Sequence, residues 1–133
     1  MKPTPALAFL EKAEHALVAA RLLLQAADTE GACSRAYYAM FDAARASIMA
    51  VEPLSEAATV KTHRGLIAAF GQTLVQTGRV DAALGRAFNR LQDIRIRADD
   101  MAGAPSSEEA EWAVTQAADF VAVLRNEFFS DCA

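Results

Sequence analysis

Apolar positions recur every three or four residues along most of the chain, and no segment alternates apolar and polar side chains as a strand would. Such spacing is typical of amphipathic helices that bury one face. The breaks between the periodic segments are short: "TEG", "VEPLSE", "QTG" and "AGAPSS". The pattern predicts five helices, over about Pro5 to Ala27, Cys33 to Ala50, Ala58 to Val75, Val80 to Asp99, and from a cap at Ser106 to near Phe129.

Short loops between amphipathic helices favour neighbours that run in opposite directions. The sequence therefore predicts an all-α fold, an antiparallel up-and-down helical bundle of about five helices. The length of 133 residues and a hydrophobic fraction of 53% suit one domain over 1–133, with its core over about 5–129. Ser106 and Glu109 have the spacing of a capping box, which predicts where the last helix begins.

The net charge of the chain argues against loose, phosphate-driven adhesion to its partners. A net charge of -4 disfavours general binding to nucleic acid or to an anionic membrane, and leaves only local contacts. Charged residues interrupt the N-terminal apolar runs, so we expect a soluble helix there and no signal peptide or membrane span. Cys33 and Cys132 are far apart and lack metal-ligand spacing, which predicts reduced thiols in the cytoplasm, with no metal and no cofactor.

One arginine lies on the apolar side of the predicted fourth helix. Arg95 falls on the same side as Leu84, Phe88 and Leu91, and Asp99 follows it one turn later. An arginine cannot lose its proton in a protein, so a buried one needs partners, and Asp99 is the nearest candidate. The pair is either a structural ion pair or part of a site, and the residues alone leave both readings open.

Other polar side chains could join that pair. His63 lies on an apolar face near a helix start, where it is either a packing residue or a proton carrier. Arg35 and Tyr38 follow one stripe of the second helix, which is either a solvated flank or part of a binding site.

Two further patterns suggest contacts at the surface. Arg86, Arg90 and Arg97 share one arc of the fourth helix, which is either a solvent or partner face or a phosphate-binding one. Val18 and Leu22 form a second apolar stripe on the first helix, opposite its core face. A helix with two apolar sides is typical of a subunit contact, so we expect a homodimer.

The segments "ACSRAYYAMFDAARASI", "KTHRGLIAAFGQTLVQTG" and "RIRADD", in this order and spacing, resemble the HEPN domain superfamily (higher eukaryotes and prokaryotes nucleotide-binding). The likeness is to the stand-alone bacterial and archaeal branch with a Ser-Arg-Ala-Tyr-Tyr-Ala-Met-Phe core and an Arg-x-x-Ala-Asp-Tyr motif. It extends over about residues 5 to 129. Arg95 matches the motif arginine and Asp99 the motif aspartate.

The resemblance implies a dimeric helical bundle that pairs with a minimal nucleotidyltransferase in a toxin-antitoxin or defence module. Many members are metal-independent ribonucleases with an Arg-x(4 to 6)-His motif, in which the 2′-hydroxyl of RNA attacks the adjacent phosphate. This chain departs from that pattern. No histidine follows Arg95, Asp100 stands in place of the tyrosine, and Asp42 stands where many relatives have histidine.

Two classes of function remain. The favoured one is a binding and regulatory module, a homodimer that engages the nucleotidyltransferase, with RNA or a nucleotide contacted by Arg35, Tyr38 and Arg95. The alternative is a ribonuclease whose catalytic residues are Arg95, Asp99 and His63, with His63 replacing the missing motif histidine.

Overall fold

The computed structural model describes residues 4–100 and 103–130, except the side chains of Asp99 and Asp100. In these ranges the chain forms helices and no strand, which confirms the all-helical fold. None of the described helices is long and apolar enough to cross a lipid bilayer. The α-helices are α1 (Pro5–Gln25), α2 (Thr29–Val51), α3 (His63–Phe70), α4 (Ala82–Asp100) and α5 (Ser107–Phe128).

Helix α2 lies at the centre of the bundle and contacts each of the other four α-helices. Its contact faces are rich in small side chains, and the fully buried Ala32, Ala36, Ala39 and Ala43 let neighbouring backbones approach closely. The other part of the core is aromatic: Phe70, Phe88 and Phe120 pack with ring centres 5.3 to 5.8 Å apart. Large side chains from α3, α4 and α5 therefore fill the space that the alanines leave.

The boundary between α1 and α2 differs from the prediction. "TEG" does not break the chain, because Thr29 begins α2 and Asp28 caps it by accepting a hydrogen bond from the Gly31 N–H at 2.9 Å. The break is at Ala27, whose φ of 62° ends α1 in the left-handed region. A glycine suits the first turn because a Cβ at Gly31 would lie 2.4 Å from Asp28 Oδ2.

The third predicted helix is three shorter pieces. A 3₁₀ turn spans Glu56–Thr59, α3 follows, and a π turn spans Gly71–Val75. Arg45 on α2 donates hydrogen bonds to the carbonyls of Ala58, at 3.0 Å, and of Val60. These bonds hold the segment before α3 in a non-α path, and Thr62 caps the new helix start by accepting from the Gly65 N–H at 3.0 Å.

The π turn widens the helical ladder by one residue. Gln76 donates its backbone N–H to the Gly71 carbonyl at 2.8 Å, a bond that spans five residues instead of four. The turn continues directly from α3 and precedes the loop to α4. It therefore lies beside the helix whose first residue is His63.

Contacts between α4 and α5 involve two of the three arginines on the outer arc of α4. Arg97 forms an ion pair with Glu109, which also closes the predicted capping box with Ser106. The Arg90 guanidinium lies 4.4 Å from the centre of the Trp112 ring. These contacts engage Arg90 and Arg97 within the chain, which argues against the phosphate-binding interpretation of that arc.

Candidate functional site

Tyr37, in the middle of α2, has no exposed surface and is the centre of a polar and aromatic cluster. On the core side its ring packs against Phe88 with a centre-to-centre distance of 5.9 Å. On the other side it meets His63 and Arg95, which come from α3 and α4. A buried phenol needs a hydrogen-bond partner, so this side chain fixes groups from two other helices around one ring.

His63 is the first residue of α3, and its Nδ1 lies 2.8 Å from the Tyr37 phenol oxygen. Its ring also lies 4.8 Å from the Phe41 ring and 5.9 Å from the Tyr38 ring. The Thr62 cap and the Arg45 hydrogen bonds fix the chain that leads into this residue. The third helix therefore brings His63 to α2, a contact that the sequence left open.

Arg95 extends from α4 onto the same tyrosines. Its guanidinium carbon lies 4.8 Å from the centre of the Tyr37 ring and 5.9 Å from that of Tyr38, within the range of cation–π attraction. The side chain is half-buried, and it also lines a cavity of about 340 Å³ with Cys33, Ser34 and the start of α2. The arginine is thus held by aromatic rings while it remains accessible from one side.

Asp99 follows Arg95 by one turn of α4. Its side chain lies outside the described residues, so the predicted Arg95–Asp99 pair stays a prediction. Cys132 also lies outside the described ranges, whereas Cys33 is a buried free thiol whose pKa is raised to about 11, chiefly by burial. No three His, Cys, Asp or Glu side chains in the described ranges gather closely enough to hold a metal ion.

Tyr38 connects this cluster to a second stripe of α2. Its ring is half-buried, packs edge-on against Tyr37 at 5.5 Å, and lies 5.9 Å from the guanidinium carbon of Arg35. Arg35 itself is exposed. The structure thus brings Tyr38 into the cluster with His63 and Arg95 and leaves Arg35 at its edge.

The electrostatics of the cluster set the charge of each group near neutral pH. Burial, and next the positive charge of Arg95, hold the pKa of His63 below its ordinary value of 6.5. Burial raises the pKa of Tyr37 above its ordinary value of 10, although Arg95 opposes that shift. His63 is therefore neutral and Tyr37 protonated at pH 7, so the phenol and the imidazole share one hydrogen bond without a net charge.

Sequence reasoning did not single out Tyr37 and so missed the centre of the site. A signal was present, because a tyrosine in a stripe otherwise made of Met, Phe, Ala and Ile brings a hydroxyl into the core that must be satisfied. Which residue satisfies it depends on the path between α2 and α3. That path is set by Arg45 and the non-α segment, which periodicity does not predict.

Comparison with known proteins agrees with the helical fold. The HEPN domain family matches residues 6–127, nearly all of the helical bundle. The chain belongs to the HEPN family.

Two relatives support this assignment over most of their length. A UPF0332 protein from Gloeobacter violaceus is 36% identical over 117 residues, which cover 86% of this chain and 88% of that protein. A protein named "Putative toxin" from Methanocaldococcus jannaschii is 34% identical over 114 residues, which cover 86% of this chain and 81% of the relative. The predicted family is therefore confirmed.

Proposed function

We propose that this HEPN protein binds single-stranded RNA and cleaves it by transesterification at the Tyr37–His63–Arg95 cluster. The observation that supports this most strongly is that His63 and Arg95 both contact one buried tyrosine, His63 at its hydroxyl and Arg95 at its ring. An imidazole that is neutral at pH 7 beside a permanent cation is the pair that the reaction requires. The Methanocaldococcus relative is named "Putative toxin", a name that agrees with such an activity.

Arg95 supplies the positive charge. The phosphodiester gains negative charge on its non-bridging oxygens as the bond to phosphorus forms, and a guanidinium presents planar donors to those oxygens. Its contacts with Tyr37 and Tyr38 orient the guanidinium before substrate binds, so less freedom is lost on binding. Asp99, one turn later, would add to this orientation from the same helix.

His63 is the proposed base. When its Nδ1–H donates to the Tyr37 oxygen, the lone pair of the imidazole lies on Nε2, the tautomer that can accept a proton. The lowered pKa keeps this lone pair available at neutral pH. Nε2 takes the proton of the ribose 2′-hydroxyl, and that oxygen forms the new bond to phosphorus.

The bond from phosphorus to the 5′-oxygen then breaks, and that oxygen takes a proton from water. The products are a 2′,3′-cyclic phosphate and a 5′-hydroxyl, and His63 returns its proton to solvent. The sequence alone favoured a binding module because no histidine follows Arg95. The position of His63 against Tyr37 changes that preference, since a histidine from α3 and the arginine from α4 both contact the same tyrosine.

The test is cleavage of single-stranded RNA by purified protein in the presence of a metal chelator, with analysis of the product ends. We expect 2′,3′-cyclic phosphate ends, loss of cleavage in Arg95→Ala, and a strong decrease in His63→Ala. Arg86→Ala is the matched control, because Arg86 is an exposed arginine of the same helix. Cleavage that survives Arg95→Ala unchanged would refute the assignment.

We infer in addition that the protein works as one component of a pair with a minimal nucleotidyltransferase. The departures from the HEPN motif at Asp42 and Asp100 suggest that regulation or binding of a partner matters beside catalysis. Co-expression with the adjacent reading frame and co-purification test this pairing, and a neighbouring gene unrelated to nucleotidyltransferases would argue against it.

A further inference from the structure

A groove of about 590 Å³ runs between α1 and α2, next to the cluster at Tyr37. Tyr38 and Phe41 belong to both, because their rings line the groove and also pack against His63 at 5.9 and 4.8 Å. The other polar residues that line the groove are Lys12, His15, Arg35 and Asp42. Polar and aromatic side chains therefore line the groove, and the rings of Tyr38 and Phe41 lie between it and His63, the proposed base.

Asp42 is the unusual member of this groove. It is 9% exposed, and within the described parts of the chain its carboxylate has neither a hydrogen bond nor an ion pair. Arg45, one turn later on α2, donates instead to the carbonyls of Ala58 and Val60. Asp42 lines the groove, so a ligand there that carries hydrogen-bond donors could replace water at its oxygens.

The charge around Asp42 agrees with that reading. Burial raises the pKa of the Asp42 carboxyl, and the positive charges of Lys12 and Arg45 oppose the rise. Neither cation bonds to the carboxylate, so its oxygens remain acceptors for a ligand within the groove. Lys12 and Arg35 line the same groove, where they could meet the phosphates of a nucleic acid.

We propose that the groove is a base-recognition subsite in which Asp42 accepts hydrogen bonds from a guanine of the bound RNA. This inference rests on the proposed RNA-binding function and adds its base preference. Guanine is the RNA base whose Watson–Crick edge presents two adjacent donors, N1–H and the N2 amino group, to the two oxygens of a carboxylate. Adenine and cytosine present a donor beside an acceptor, and uracil presents one donor between two acceptors.

The aromatic side chains explain how the base would be held. Tyr38 and Phe41 lie with ring centres 6.3 Å apart and offer faces or edges for a base in the groove. The same rings contact His63, so a guanine in the groove lies within one nucleotide of the proposed scissile phosphodiester. The base in the groove would therefore determine which bond is presented to Arg95 and His63.

The experiment measures binding of fluorescein-labelled oligonucleotides by anisotropy. The riboses carry 2′-O-methyl groups, which remove the nucleophile and prevent cleavage. The oligonucleotides are an oligo(A) strand, the same strand with one central guanine, and the same strand with one central inosine, which keeps N1–H and lacks the N2 amino group. For the wild-type protein we expect guanine to bind about tenfold tighter than the all-adenine strand, with inosine between them.

Asp42→Asn should bind the three strands with equal affinity, because the amide offers only one acceptor. Asp93→Asn, the same change at an exposed position of α4, should keep the guanine preference. The comparison of the guanine and inosine strands uses the wild-type protein alone. It therefore does not depend on whether Asp42→Asn folds. A thermal melt of both variants accompanies the titrations.

The outcomes separate this inference from the proposed function. Equal binding of all strands by the wild type, with binding lost in Arg95→Ala, would overturn the guanine subsite and leave the RNA function intact. A guanine preference that persists in Asp42→Asn would remove Asp42 from the subsite. No binding of any strand by folded wild-type protein would overturn the proposed function and this inference with it.

Discussion

The Tyr37 phenol oxygen and His63 Nδ1 lie 2.8 Å apart and join the middle of α2 to the first residue of α3. This hydrogen bond orients the imidazole, whose proton lies on Nδ1 when the phenol accepts and on Nε2 when the phenol donates. A shift of either side chain would break this hydrogen bond. Proton transfer by His63 should therefore depend on a phenol that never itself contacts the RNA.

Replacing Tyr37 with Phe tests that dependence. The ring remains for Arg95, and the hydroxyl that orients His63 is lost, so we expect the cleavage rate constant to fall by about tenfold or more with little change in KM. Tyr38→Phe is the control, because no hydrogen bond to the Tyr38 hydroxyl is present in the described structure. Equal rates for wild type and Tyr37→Phe would show that the phenol does not orient the base.

The pKa of His63 should respond to Arg95. In wild type we expect His63 to titrate below 6.5, and in Arg95→Met we expect its pKa to rise and still remain below 6.5, because burial is the larger cause. NMR titration of the imidazole C–H signals measures this, with His15→Gln to assign the two histidines. Arg86→Met, an exposed arginine on the same helix, should leave the pKa unchanged.

The same shift affects stability. Below pH 6.5 the unfolded chain binds a proton at His63 that the folded chain resists, so the free energy of unfolding should fall as the pH drops from about 6.5. The loss should level off below the folded-state pKa. His63→Gln should lack this part of the pH dependence. If the free energy of unfolding of that variant fell with pH as steeply as in the wild type, the burial of His63 would be contradicted.

Asp42→Asn should stabilise the protein at neutral pH. A carboxyl whose folded-state pKa is raised contributes stability below its unfolded pKa near 3.8 and loses it as the pH rises through the folded value. At pH 7 the amide avoids that loss, and we expect a gain on the order of 1 kcal/mol in urea melts. Asp93→Asn should change stability by less than about 0.5 kcal/mol, as for other exposed positions.

Such a gain would have a functional meaning, because it would show that the protein keeps a destabilising carboxylate in the α1/α2 groove. A loss of stability in Asp42→Asn would instead show that the carboxylate makes a favourable contact in the folded chain. Such a contact would stabilise Asp42 without a ligand, which would contradict the guanine subsite.

Ala27→Gly should also stabilise the fold, for a local reason. Ala27 has a φ of 62°, a conformation that costs an L-residue about 1 kcal/mol relative to glycine. Ala26, the preceding and equally exposed alanine, has a φ of -82°, so Ala26→Gly should destabilise. Opposite changes in melting temperature for these neighbours are the expected result, and the same sign for both would contradict the left-handed helix end.

The oligomeric state depends on the outer face of α1. Val18 and Leu22 are 53% and 61% exposed, and we expect them to be covered in a homodimer. Light scattering should give about twice the chain mass of 14.2 kDa, and the double variant Val18→Lys and Leu22→Lys should give the monomer mass. Val123→Lys, at another exposed valine, is the control. A monomer mass for wild type across a dilution series would refute the dimer.

The sequence predicted the parts of the fold that depend on periodicity and caps. Apolar spacing located the five helices, and the Ser106 to Glu109 spacing located the start of α5. The errors occurred where one side chain overrides local preference. Gly31 resembled a helix breaker because the cap at Asp28 was not recognised, and the start of α3 at His63 depends on hydrogen bonds from Arg45 on another helix.

The candidate site was predictable to a lesser degree. Arg95 was conspicuous because a cation among leucines needs an explanation, and His63 because a chain with two histidines has few proton carriers. Their meeting at Tyr37 depends on three helices and could not be obtained from any one helical wheel. Asp42 was noticed as a departure from the family, whereas its burial without donors is a tertiary property.

The π turn at Gly71–Val75 has a consequence for comparing this chain with others. A turn that holds one more residue than an α-helix accommodates an insertion without rotating the helix before it. A related protein with an uninterrupted α-helix here should therefore be one residue shorter between the counterparts of His63 and Val80. Alignments that place the resulting gap before His63 would assign the wrong residue to the position of the imidazole.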